Sequence, residues 1–360
     1  LDINNLKKQV ELFWKSKGYI YVDSKGLISS NPDLLFNNSS TRVFFDTLKK
    51  GRSIESKSFT IQPCLKNHNL KLFDSFMKEK RNIEYLSFFH GFGTFQKGKI
   101  NLTFLRIVIQ FIEIVIRIKP NNVYVIIPNK FSNFKNCLDK FNILVSSKEE
   151  LTNWNCGLEN IQGDSINFLV KLKKGNVIQF CDIVEIYDSI TGETYIEYCA
   201  SLEFILMLRE NYLSPIECNT IYSSINDLLY EPIQKEIFLD CFISVLEIIK
   251  DIYTNSNDSL NWQHTHKLRK YIKYILFITE NNDIDQSRLL HLAEEYLKNK
   301  SCLDELKELL ENQKMSINRN IKAYKKFLKE SKIINTSELY DIGRTRYGLI
   351  EKKIQAILDE

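Results

Sequence analysis

Two runs of strand composition, separated by a polar excursion, constrain this chain more than any other feature. Phe59-Thr60-Ile61-Gln62-Pro63-Cys64-Leu65-Lys66 and Phe88-Phe89-His90-Gly91-Phe92-Gly93-Thr94-Phe95 carry the aromatic and apolar residues that suit a pleated, half-buried surface. Asn67 to Arg81, between them, is polar and long enough to lie over a bound ligand. Such a pair needs a sheet to join, so the remaining strands and the helices that cover them follow as the next question.

At 360 residues the chain has room for two domains, and 44% hydrophobic with 12% aromatic residues is ample for sizeable cores. The formal net charge of +4 permits a nucleic-acid partner without requiring one. Eight cysteines, Cys64, Cys137, Cys156, Cys181, Cys199, Cys218, Cys241 and Cys302, include no CxxC pair. That pattern points to reduced thiols in a cytoplasmic compartment, and no disulfide framework or metal site is expected. No apolar segment of signal-peptide type opens the chain, so a secretory route is not expected either. The longest apolar run, Leu102 to Ile118, carries Arg106, Gln110, Glu113 and Arg117 at helical spacing. This polar stripe argues for a helix packed on protein and against a membrane span, with Pro120 expected to stop it.

In chain order, Leu6, Val10 and Phe13 form a helical stripe beside Trp14, Gly18 stands where a helix C-cap glycine belongs, and Tyr19 to Val22 reads as a short strand. Val123 to Ile127 is a β-branched run fit for a buried strand, whereas Lys130 to Glu150 is polar and expected to be irregular. Val177 to Tyr187 alternates like a strand. From Ile237 onward the period becomes helical, with Phe238, Phe242, Val245, Ile249 and Ile252 on one face, which places a domain boundary near Glu231-Pro232. His264 and His266 point apart on a helix, and His90 is read as a packed or hydrogen-bonding residue and not as a base.

Taken in order, these segments resemble the alanyl-tRNA synthetases, a family of class II aminoacyl-tRNA synthetases. The first strand run stands where the family writes T-T-S-Q-x-C-x-R in motif 2. Pro32-Asp33-Leu34-Leu35-Phe36-Asn37-Asn38 and Val43-Phe44-Phe45-Asp46 are similar to its D-P-T-L-L-F-T-N and F-K-D run, and Glu11 to Tyr19 is similar to its opening helix. Trp154 with Gly157 to Ser165 occupies the place of the N-F-W and G-P-C-G-P-C segment, without the second proline-cysteine turn. Val177 to Tyr187 and Tyr195 to Leu208 resemble the E-I-W-N strand and motif 3, V-D-T-G-M-G-L-E-R.

The resemblance implies an α+β fold: a class II antiparallel sheet flanked by helices over residues 1–232, then an all-α, tRNA-recognition-like domain over 233–360. Neither an editing domain nor a C-terminal oligomerisation module is implied. It assigns the amino-acid site to Trp154, to Asp182 in place of the Asn that faces alanine, and to Glu197 in place of the Asp that holds the substrate ammonium. It assigns catalytic roles to Lys66, at the position of the motif 2 arginine, and to the retained Glu203. ATP and magnesium are the implied cofactors of an active enzyme, and the implied partners are an alanine-like amino acid and the tRNA acceptor stem.

Several positions depart from the family. Lys66 keeps a charge but loses the two-toothed guanidinium fork. Phe204 stands where motif 3 has its phosphate-binding arginine, and Ala200 with Ser201 replaces glycines that let ATP approach the backbone. Loss of one positioned donor costs about 10²- to 10³-fold in rate, so ATP activation in the usual manner is expected to be slow or absent unless another cation substitutes. The sequence therefore supports two functions: a divergent alanyl-type ligase acting in adenylation or on tRNA, or a catalytically degenerate module that binds RNA or protein.

In the helical half, Leu289 to Tyr296 turns the family's arginine helix acidic. Arg319, Lys322, Lys326 and Lys329 share one face of a helix expected from Ser316 to Lys329, and form a nucleic-acid stripe or a solvated outer face. Glu338 to Leu349 resembles the family's L-Y-D-T-Y-G-F segment, which makes Asp341 the candidate reader of the acceptor stem, with helix capping as the alternative.

Overall fold

Asp2 accepts a hydrogen bond from the Asn5 amide and so opens the first helix, the capping arrangement that supplies a partner to an otherwise orphaned N–H. The computed structural model describes residues 2–29, 34–81, 83–148, 152–172, 175–226, 228–254, 261–331 and 335–359, without the side chain of Phe45. Pro32, Asp33, Glu149 and Glu150 of the segments considered above lie outside the described residues.

The helices are α1 (Ile3–Ser16), α2 (Phe45–Lys49), α3 (Phe73–Glu79), α4 (Leu102–Phe111), α5 (Lys135–Asp139), α6 (Leu202–Glu210), α7 (Tyr222–Ile225), α8 (Pro232–Thr254), α9 (Trp262–Asn281), α10 (Gln286–Leu297), α11 (Lys300–Glu330), α12 (Thr336–Thr345) and α13 (Glu351–Leu358). The strands are β1 (Ile20–Tyr21), β2 (Ser58–Leu65), β3 (Phe88–Lys97), β4 (Val123–Ile127), β5 (Leu144–Ser147), β6 (Asn153–Trp154), β7 (Ile161–Lys171), β8 (Val177–Asp188) and β9 (Glu193–Ser201). They form one sheet in the order β1-β2-β3-β9-β8-β7-β4-β5, with β6 beside β7. The pairs β3/β9, β9/β8, β8/β7 and β7/β4 are antiparallel, while β1/β2 and β4/β5 are parallel. The fold is α+β: a mainly antiparallel sheet flanked by helices, followed by a helical region.

The chain divides into two units, residues 1–27, 36–64 and 89–218 in the first, and 28–35, 65–88 and 219–360 in the second. In the first, the period of two along each strand sorts side chains onto two faces. Phe59, Ile61, Phe92, Ile183, Ile196 and Tyr198 point to one face and pack with Leu6, Val10, Trp14, Phe104 and Phe111 from α1 and α4. Trp14 sits at the centre of this core, in ring contact with Tyr19, Phe92, Phe111 and Tyr198. Phe95, Val184, Ile186 and Tyr195 point to the other face, under Phe44, Leu48 and Trp154.

Two expectations from sequence change here. The helix from Leu102 does not run to Pro120: α4 passes into a π-turn, Ile112–Ile116, and ends at Arg117 in the left-handed conformation, φ +64°. The Arg209 guanidinium donates to the Val115 carbonyl at 2.9 Å and so satisfies a group that the early stop leaves open. The segment from Lys130 is ordered rather than irregular, because Phe131, Phe134 and Leu138 recur at helical spacing and are buried, and β5 then adds parallel to β4.

The second unit is built on α8, which is buried almost all round and not on one face alone. Four of its carboxylates go inside, and each meets donors. Glu236 accepts from the Ile83 amide, Asp240 from Ser87 N, Ser87 Oγ and Asn69 Nδ2, Asp251 from the Ile28 amide, and Glu247 from the Tyr296 hydroxyl. Buried charge is tolerated only when paired in this way. The excursion between β2 and β3 is accordingly not a free loop: α3 buries Phe73, Phe76 and Met77, and Phe73 stacks edge-on against Tyr274. Among the described residues no helix is long and apolar enough to cross a membrane.

Candidate functional site

The polar positions of the first unit collect on the sheet face opposite Trp14. Along β9, Tyr195, Glu197, Cys199 and Ser201 share that face; along β8, Asp182, Val184 and Ile186 share it; along β3, Gly91, Gly93 and Phe95 do. Asp182 is registered against Cys199, whose Sγ donates to Asp182 Oδ1 at 3.1 Å. Glu197 is therefore the diagonal neighbour of Asp182, at the spacing from which cross-strand side chains still interact.

Glycine on β3 lets a 3-10 turn, Ser40–Val43, lie directly over these strands. A Cβ at Gly93 would stand 2.1 Å from Ser40 Oγ, and one at Gly91 2.9 Å from Cys64 Sγ. The close approach delivers two hydroxyls to Glu197: Thr41 Oγ1 and, at 3.5 Å, Ser40 Oγ both donate to Oε1. Glu197 Oε2 is fully buried and has no hydrogen-bond partner.

Burial raises the Glu197 carboxyl, and the nearby Asp182 charge raises it further, against the lowering effects of Thr41, Ser40 and Arg42, so that it is pushed up to about 8. Arg42 is half-buried beside it; its Nε donates to Asn38 Oδ1 at 3.1 Å and its Nη2 to the Cys156 carbonyl at 3.2 Å. The site thus holds a neutral carboxylic acid, a second carboxylate and one guanidinium, under Trp154, which packs on the same face. A ligand ammonium would satisfy Oε2, offset the like charges of Glu197 and Asp182, and convert Glu197 to its anion.

Glu203 lies at the end of β9 in the first turn of α6, and its oxygens are engaged. His90 N and Ser201 Oγ donate to Oε2 at 2.9 and 3.1 Å, and His90 Nδ1 bonds Oε1 at 2.6 Å. Burial raises its carboxyl, but the charge and hydrogen bonds of His90 outweigh it and hold it below the usual carboxylate range. Ser201 N-caps α6 through Phe204 N, Ala200 is half-buried opposite Phe92, and Phe204 is buried in the core shared with α1 and α4. With Glu203 occupied and Phe204 in the core, these residues do not fit a magnesium triphosphate at the place the family holds it. Among the described residues no cluster of three His, Cys, Asp or Glu side chains could hold a metal ion.

The first unit therefore brings Trp154, Asp182 and Glu197 onto one face of the sheet, with Ser201 and Glu203 at the end of β9, whereas Ala200 and Phe204 belong to the opposite face and pack on the core around Trp14. Lys66 belongs to the second unit: it is exposed just past β2, with its amide bonded to the Ser87 carbonyl at 2.8 Å. Arg319, Lys322, Lys326 and Lys329 are exposed on α11, which begins at Lys300 and not near Ser316. Asp341 is not a capping residue, since Asn335 caps α12 and Asp341 pairs with Arg344 at 3.2 Å in the helix interior. Ser40, Thr41 and Arg42 were not singled out from sequence. The signal that could have found them is the pair of glycines at Gly91 and Gly93, which asks for a close neighbour.

No family model matches the chain, and no curated protein matches it. The solved structures similar to it include aminoacyl-tRNA synthetases. Histidyl-tRNA synthetase of S. aureus shares 11% identity over 57% of this chain and 69% of its own, with a TM-score of 0.38. Two structures of pyrrolysyl-tRNA synthetase from Desulfitobacterium hafniense share 11% and 10% identity over 59% and 61% of this chain and 70% and 73% of their own, each with a TM-score of 0.31. Likenesses of this extent do not assign a family.

Proposed function

We propose that the protein is a divergent, alanyl-type synthetase-like protein whose Glu197 pocket binds the ammonium of a small amino acid, with ATP chemistry reduced or lost. The observation that carries this reading is Glu197 Oε2, buried and unpartnered beside a second carboxylate. It stands at the position to which the motif 3 resemblance assigns ammonium binding. The reading is further supported by the order of elements: α1 with β1, β2 and β3 joined by the excursion, and β9 running into α6, as motifs 1, 2 and 3 would require. Asp182 and Trp154 complete the amino-acid side, and Arg42 supplies a cation for the carboxylate.

The helical unit, through Arg319, Lys322, Lys326, Lys329 and Asp341, is proposed to hold a tRNA acceptor stem. The fate of the ATP half decides between ligase and binding module, and the engaged Glu203 and buried Phe204 favour the module. Calorimetry with L-alanine, glycine and L-serine, alongside ATP–pyrophosphate exchange, tests both. Amino-acid binding with exchange absent, or about 10²-fold or more below that of a competent synthetase, is the expected result; no binding of any amino acid overturns the reading.

A further inference from the structure

The second unit carries a charged surface that the synthetase reading does not use. Trp262 is the first residue of α9, after its cap Asn261, and is 76% exposed. At 100° per residue, His266, Arg269 and Lys270 fall on the same side as Trp262, and the half-buried Lys267 lies next to Lys270, about 60° further round, while Leu268, Tyr271 and Ile275 are buried on the far side. Lys71, exposed at the end of the 3-10 turn before α3, adds a further cation whose field reaches Lys267.

The charges repel one another. After burial, the positive charges of Lys270, Lys267, Lys273 and Arg269 lower the His266 imidazole, and Lys270 and Lys71 lower the Lys267 ammonium. Lys273, further along the stripe, donates to the Gly348 carbonyl at 2.6 Å. Crowding like charges costs stability and is relieved by an anion. A flat, exposed indole at one end distinguishes this surface from a solvated helix face, because base stacking needs an aromatic plane in water as well as cations for the phosphates.

We propose that the exposed side of α9, with Lys71, binds single-stranded nucleic acid, with Trp262 stacking on a base and Lys267, Arg269, Lys270 and Lys71 neutralising phosphates. The inference does not rest on the chemistry of the Glu197 pocket. Fluorescein-labelled oligouridylate, titrated into the full chain at several salt concentrations, tests it, with an RNA duplex and anionic phosphatidylserine vesicles as competing probes. Binding should quench tryptophan emission, and log K should fall with log salt with a slope of about −3, from four cations at roughly 0.7 each on a single strand. Trp262→Ala should weaken binding about 10-fold and abolish the quench, Trp262→Phe should restore most of the affinity, and Lys267→Gln with Lys270→Gln should reduce the slope by about 1.4. Lys322→Gln with Lys326→Gln, on α11, should leave the quench unchanged. Absence of quenching, wild-type affinity for oligouridylate in Trp262→Ala, a duplex that quenches as strongly as oligouridylate and loses that quench in Trp262→Ala, or binding of vesicles in place of the oligonucleotide would each overturn the proposal.

Discussion

Glu197 and Glu203 are two carboxyls six residues apart with opposite electrostatics, and the difference lies in their donors. Glu203 receives three hydrogen bonds, two of them from His90, while Glu197 receives hydroxyls on one oxygen only. Because burial raises the folded-state value of Glu197 to about 8, the folded protein holds a proton there that the unfolded chain releases. Its contribution is fully present below the ordinary value of 4.5 and is lost progressively as pH rises from there to about 8. Glu197→Gln should therefore flatten the fall in melting temperature between about pH 5 and pH 8 and abolish amino-acid binding. Glu203 has the reverse sign, its contribution being present above the unfolded value and lost as pH falls. His90→Ala leaves the Glu203 carboxylate under-satisfied and should cost about 2 kcal/mol in urea unfolding at neutral pH, less than for a fully buried pair because His90 retains some exposure.

At the scale of elements, the turn from Ser40 to Val43 depends on bare backbone in β3. Gly93→Ala should force Ser40 away and cost about 1–3 kcal/mol, read as a lower urea midpoint. In the second unit, Asp240→Ala removes the acceptor for Ser87 and Asn69 and should cost about 2–4 kcal/mol. Strands such as β8 and β9 were legible because alternation and β-branching act locally. The surroundings of α8 were not: the donors that Glu236, Asp240 and Asp251 meet, Ile83, Ser87 and Ile28, stand more than a hundred residues away in the chain. The same holds in the site. Glu197 was singled out through a motif resemblance, whereas Thr41, 156 residues earlier, could be joined to it only by the fold.

For the whole molecule, the proposed amino-acid site lies in the first unit and the proposed nucleic-acid surfaces in the second. Variants in one should leave the other intact: Glu197→Gln should bind oligouridylate as the wild type does, and Trp262→Ala should keep its amino-acid affinity. The charge of the Glu197 carboxyl is what the account turns on, and carbon-13 NMR of the glutamate side chains, assigned through Glu197→Gln, reads it directly. The account predicts a carboxyl that titrates near 8 in the free protein and becomes ionised at neutral pH when L-alanine is added. An ordinary carboxylate titration in the free protein, or a Glu197 resonance that does not respond to alanine, would contradict it.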